Sequence, residues 1–136
     1  MNQTYSYDDV LLVPQYSDIR SRADIDISTD LGKGLKLQLP IFASPMDTIS
    51  ESAMSEAMSH VGASAIIHRY NTIDSQVMEV SRVPSPSMVG AAIGVSGDYL
   101  ERASALADAG ATFLCVDVAH GHHIMMQKAL GELRRL

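Results

Sequence analysis

The residues of this chain that could do chemistry fall in four short clusters, each directly behind an apolar run. They are Ser44-Pro45-Met46-Asp47-Thr48, His68-Arg69-Tyr70-Asn71, Ser96-Gly97-Asp98 and Asp117-Val118-Ala119-His120-Gly121-His122-His123. An anionic small ligand suits such clusters, because backbone N–H groups and one helix terminus can hold a phosphate whatever the overall charge. The three histidines tempt a zinc reading, but no cysteine or carboxylate completes a ligand spacing, so no metal site is assigned. Gly94-Val95-Ser96-Gly97 resembles a phosphate cradle only weakly, lacking the lysine of a P-loop and the third glycine of a dinucleotide fingerprint. Cys115, inside the apolar run Phe113-Leu114-Cys115-Val116, reads as a small core residue rather than a nucleophile.

The elements that must position these clusters alternate. After Pro40, a short apolar run is followed by a helical pattern four times: Ile41 to Ser44 then Ser50 to His60, Ala63 to Ile67 then Thr72 to Arg82, Val89 to Val95 then Asp98 to Ala109, Thr112 to Val118 then His122 to Leu136. The apolar runs lack polar alternation, as strands buried on both faces do, and the helices supply the crossovers a parallel sheet needs. Ser50 and the pair Gly97-Asp98 read as helix starts, and Gly62 and Gly110 as C-cap glycines. Residues 1–39 read as an arm: a proline-stopped apolar patch from Tyr7 to Pro14, an alternating strand Asp24-Ile25-Asp26-Ile27-Ser28, and a hairpin turn at Gly32-Lys33-Gly34 leading to Leu35–Leu39. Residues 40–136 form the α/β unit. In such folds ligands collect at the carboxyl ends of the strands, where all four clusters lie. Periodicity alone permits either part of a (β/α)₈ barrel or a small flavodoxin-like sheet, and four strands do not close a barrel.

Bulk composition excludes several functions. A chain of 136 residues with 46% hydrophobic and 19% charged residues has enough apolar material for a core and too much for disorder. A formal charge of -6 argues against coating nucleic acid, which needs clustered Lys and Arg. The apolar runs are far shorter than the roughly 20 residues of a membrane-spanning helix. The polar start Asn2-Gln3-Thr4 is unlike a secretory signal, which makes the cytoplasm the expected location.

Six segments taken in order and spacing resemble the IMP dehydrogenase / GMP reductase family: Tyr7 to Pro14 (YDDVLLVP), Ser21-Arg22, Ser44 to Thr48 (SPMDT), Ile67-His68-Arg69, Gly90 to Asp98 (GAAIGVSGD) and Asp117 to His122 (DVAHGH). The resemblance implies the N-terminal half of a TIM (β/α)₈ barrel, about four βα units preceded by an arm. It implies that Ser44 and Met46 line a purine nucleotide site for IMP or GMP. Asp117 would hold a ribose of NAD or NADP, and a strand-end carboxylate is suited to accepting two hydroxyl hydrogen bonds. Val118 and Ala119, with little bulk, would let the cofactor approach their backbone, and Arg69 would face it. Ser21 and Arg22 resemble the pair through which one subunit reaches the cofactor on its neighbour, in a family that is typically tetrameric.

The family's chemistry, by the same resemblance, uses a cysteine in a later loop that attacks C2 of the purine and gives a covalent adduct from which hydride passes to the nicotinamide. No residue of this chain matches it, so no catalytic residue is assigned and the chain alone is expected to show no turnover. A monovalent-cation (potassium) loop would also lie outside these residues. Many dehydrogenases of the family carry paired regulatory CBS modules between the second helix and third strand, where this chain has only Val83-Pro84-Ser85-Pro86-Ser87-Met88. That short connection points towards the reductase. The SPMDT and GAAIGVSGDYLERA stretches point towards the dehydrogenase, which is the favoured expectation, with GMP reductase and a non-catalytic barrel fragment as alternatives.

Overall fold

The computed structural model describes residues 2–136. Residues 2–27 are exposed throughout and form an arm with two single 3₁₀ turns, Tyr7–Asp9 and Arg22–Asp24. The first is closed by the Ser6 N–H and hydroxyl, both donating to Asp9 Oδ2 at 2.9 Å. The alternating strand expected over Asp24–Ser28 does not form. Asp24 is taken up in the second 3₁₀ turn, and Asp26 Oδ1 accepts the Ser28 N–H at 2.8 Å, a local side-chain bond that competes with a strand ladder. The hairpin is built slightly later instead. β1 (Thr29–Asp30) pairs antiparallel with β2 (Lys36–Leu37), and the turn passes through Gly32, Lys33 and Gly34, all at positive φ. Leu37 is buried, and the Gln38 and Leu39 N–H groups both donate to Gly62 O at 2.9 Å, fixing the hairpin to the main body.

The main body is a four-stranded parallel sheet in sequential order: β3 (Phe42–Ala43), β4 (Ser64–Ile67), β5 (Val89–Ile93) and β6 (Phe113–Val116). Between and after the strands run α1 (Ser52–His60), α2 (Ile73–Arg82), α3 (Tyr99–Asp108) and α4 (Ile124–Leu133). A strand order that never doubles back removes the flavodoxin-like alternative, which requires a reversal point. Right-handed crossovers then place every helix on one face. Gly62 and Gly110 end α1 and α3 at φ +75° and +100°, as their C-cap reading requires.

The core lies between helices and sheet: Ile67, Val89, Ala91 and Ile93 from the strands meet Val80, Ala103 and Leu106 from α2 and α3. The opposite face is concave. Phe42 and Phe113, at the starts of the two outermost strands, meet edge-to-face with centroids 5.5 Å apart. In a flat sheet three interstrand steps would separate those strands by about 14 Å. The sheet therefore curls as part of a βα barrel does, with β3 and β6 left as open edges. Cys115 pairs in register with Ala92 on this concave face, half-buried rather than packed under the helices.

Candidate functional site

Because the four strands are parallel, all four polar clusters sit on one rim, at the carboxyl ends. Ser44 and Met46 follow β3, Arg69 follows β4, and Asp117, Val118 and Ala119 follow β6. The β3 loop is wound tightly. The Met46 N–H donates to Ser44 O at 2.8 Å, the Ser50 N–H donates to Met46 O at 3.0 Å, and the fully buried Ser50 hydroxyl also donates to Ser44 O. Ser50 is thus used inside the loop rather than as the cap of α1. The Met46 side chain is left 52% exposed, free to meet a ligand.

Arg69 makes the longest reach on the rim. Its Nε donates to Asp117 Oδ2 at 3.3 Å and its Nη2 to Asp117 O at 3.1 Å, so it crosses from the end of β4 over the end of β5 to the end of β6. Gly94 lies beneath the crossing: a β-carbon there would stand 3.6 Å from Nη1. Tyr70 flanks the guanidinium, with its ring centroid 5.5 Å from Arg69 Cζ. Asp117 is held by its own N–H, which continues the β5–β6 ladder to Ile93 O at 2.9 Å. Its Oδ1 takes no hydrogen bond from the protein among the described residues, so one acceptor remains presented at the rim.

Beside Asp117, Val118 joins Val95, His120, His123, Met125 and Met126 around an apolar cleft of about 230 Å³, while Ala119 is exposed. His123 serves α4 as its cap, Nδ1 accepting from the Met125 N–H at 3.2 Å. No group of three metal-ligating side chains exists among the described residues. Ser21 and Arg22 are not brought to the rim. Both are exposed in the arm, where Ser21 Oγ accepts the Ala23 N–H at 3.2 Å and caps the 3₁₀ turn.

Two sets of contacts escaped the sequence reading, the first made by His68, which the sequence places only in its strand-end cluster. His68, 2% exposed, accepts the Tyr70 N–H at Nδ1 (3.2 Å), which leaves Nε2 to donate to Glu51 Oε1 at 3.2 Å, with Asp47 Oδ1 at 3.7 Å. It ties the β3 and β4 loops together, a bond assisted by the carboxylate charge. Gln76, fully buried, lies on the apolar stripe Ile73-Val77-Val80 of α2. A polar residue interrupting such a stripe was the signal available for it. Cys115 is a poor nucleophile here: burial, and then the Asp117 charge, push its thiol pKa up, which disfavours the reactive thiolate.

Residues 4–136 match the family model described as IMP dehydrogenase / GMP reductase domain. An inosine-5'-monophosphate dehydrogenase of Cryptosporidium parvum is 30% identical over 95% of this chain and 42% of its own length. One from Nitrosopumilus maritimus is 46% identical over 57% of this chain and 16% of its own length. A GMP reductase of Leishmania donovani is 42% identical over 57% of this chain and 16% of its own length. The chain thus spans less than half of these relatives. With a family match over nearly every residue and a rim of polar clusters on a curled parallel sheet, the chain belongs to the IMP dehydrogenase / GMP reductase family.

Proposed function

We propose that these residues supply the nucleotide-facing rim of a purine nucleotide oxidoreductase that oxidises IMP to XMP with NAD. The observation that carries this reading is Asp117, fixed at a strand end by its own N–H and by Arg69, with Oδ1 still open. A carboxylate so placed can accept the paired hydroxyls of a ribose, in charge-assisted bonds stronger than neutral ones. Val118 and the adjoining apolar cleft offer a surface for the rest of a dinucleotide. When bound, the nicotinamide would take up the hydride lost from the purine. Ser44 and Met46, three strands away on the same rim, would contact the purine nucleotide. The nucleophilic cysteine and the potassium loop that the family implies match no residue of this chain, and the tetramer it implies would set copies of the chain side by side. Ser21 and Arg22 would act from a neighbouring subunit, in keeping with an arm that stands clear of its own rim.

Reduction of GMP with NADPH is the second reading. The six-residue connection Val83–Met88 between α2 and β5 favours it, because no regulatory module fits there. Titration calorimetry with NAD and with NADPH, on the chain and on Asp117→Ala, tests the ribose contact. Saturable NAD binding by the parent, lost in the variant, supports the dehydrogenase reading; preference for NADPH supports the reductase. Equal binding by parent and variant refutes the role given to Asp117, and no binding of either dinucleotide refutes both readings of this rim.

A further inference from the structure

We infer that the buried pair Gln76–Arg102 is a positioning device that sets the spread between β4 and β5 at the rim, so that Arg69 can cross to Asp117. The inference rests on the proposed function only in assigning Asp117 a cofactor contact.

The two ladders flanking β5 end at different heights. β4 and β5 stay in register only to Ile67 opposite Ala91, whereas β5 and β6 continue to Ile93 opposite Val116. Just where β4 and β5 part, Gln76 Nε2 donates to the carbonyls of both Ile67 and Ala92, at 3.2 and 2.9 Å. The amide therefore bridges the two strands at the point where their register ends. Its Oε1 accepts from Arg102 Nη1 at 2.7 Å, and Arg102 Nη2 donates to Asn71 O at 3.0 Å and Asp98 Oδ2 at 2.8 Å. This chain of bonds grips both ends of two loops: Ile67 and Asn71 bracket the loop that carries Arg69, while Ala92 and Asp98 bracket the loop containing Gly94, over which Arg69 lies.

Stability alone is a weak reason for such a network. Gln76 is fully buried and Arg102 is 7% exposed, and desolvating them costs about as much as their pairing returns, so apolar residues of similar volume would hold α2 and α3 to the sheet as well. What apolar contacts cannot supply is direction, since donors fix carbonyls at one distance and angle. Among the described residues Gln76 and Arg102 make no hydrogen bond to Asp117 or Arg69, and so act through the loops.

The test uses the full chain and two readouts. The first needs no ligand: the Arg69 Nε–Hε resonance in a nitrogen–proton correlation spectrum, with Asp117→Asn defining its unpaired position. Gln76→Glu keeps the acceptor for Arg102 but deletes both donors to the strand carbonyls; Arg102→Lys is the second variant, should the first fail to fold. Glu79→Gln, which perturbs α2 away from these loops, controls for lost stability. We expect Gln76→Glu to move the Arg69 resonance towards its Asp117→Asn position and Glu79→Gln to leave it in place. The second readout is NAD affinity, about tenfold weaker in Gln76→Glu and not further weakened when Asp117→Asn is already present, the non-additivity of residues that act through one another. A folded Gln76→Glu or Arg102→Lys chain with an unmoved Arg69 resonance overturns the inference. Absence of NAD binding in the parent would defeat the cofactor reading alone, because the resonance still decides the positioning role.

Discussion

Helix α1 lacks a cap from its own sequence, and a side chain 27 residues away supplies one. Glu51 stands at the N-cap without a side-chain bond to the helix, while Glu79 Oε2 from α2 accepts both the Ser52 N–H, at 2.9 Å, and the Ser52 hydroxyl. The Glu79 side chain is 15% exposed, so water is a poor substitute. Its other partner, Arg82, is 62% exposed and should add almost nothing to stability. Glu79→Ala leaves a half-buried helix N–H unmatched, a loss of about 2 kcal/mol by the cost of a missing cap. Glu79→Gln keeps an acceptor but forfeits the charge assistance, a loss of about 1 kcal/mol. With a urea slope of about 2 kcal/mol/M, those losses lower the midpoint by about 1 M and 0.5 M at pH 7. The pH dependence has a definite sign. Hydrogen bonds from the Ser52 hydroxyl, and then from its N–H, hold the Glu79 carboxyl below the ordinary value near 4.5, against the opposing effect of burial. Its contribution is therefore complete above the unfolded-state value and fades as pH falls through the lower folded-state value. Parent and Glu79→Gln midpoints, followed by circular dichroism, should draw together as the pH falls below the ordinary carboxyl range. Equal midpoints at pH 7, or a gap that persists unchanged at pH 3, would refute the cross-helix cap.

Two glycines should respond in opposite directions. A β-carbon on Gly90 would lie 2.4 Å from the Phe113 ring and 3.2 Å from Ala65 O, so Gly90→Ala is expected to cost about 1–3 kcal/mol through overpacking, measured as a lowered urea midpoint. Gly131, inside α4, has nothing within 4 Å of such a carbon, and Gly131→Ala should stabilise by about 0.5–1 kcal/mol through helix entropy, measured as a raised midpoint.

Much of the fold was legible because parallel strands buried on both faces announce themselves as unbroken apolar runs, and because Gly62 and Gly110 are the residue type that positive φ favours. The four clusters could be put on one rim for the same reason, since parallel topology sends every strand's carboxyl end the same way. Side-chain pairing across long separations left no local trace. Ser50 reads as a helix cap from its neighbours, yet its hydroxyl turns back to Ser44 O and leaves the cap to Glu79. Arg69 reads as a strand-end cation, but its crossing to Asp117, 48 positions on, depends on the curl of the sheet. Asp24–Ser28 misled because alternation marks a strand only where a partner is available, and a short Asp26–Ser28 turn took its place.

The small side chains of β5 connect that curl to the rim. Along Val89-Gly90-Ala91-Ala92-Ile93-Gly94 the residues facing the helices are Val89, Ala91 and Ile93, all in or against the core cluster. The alternate set, Gly90, Ala92 and Gly94, has at most one methyl group per residue. On the concave side of a curled sheet side chains converge, so the central strand must surrender volume for the edges to approach. At Gly90 the freed space admits the Phe113 ring, which can then reach Phe42 from the far edge. At Gly94 the same economy leaves a floor over which the Arg69 guanidinium passes to Asp117. A bulky residue at Gly90 would flatten the sheet from its amino end, and one at Gly94 would lift Arg69 while leaving the Phe42–Phe113 contact alone. The alternation of large and absent side chains along one strand thus sets both the curvature that gathers the strand ends and the path by which a guanidinium holds the carboxylate proposed to bind ribose.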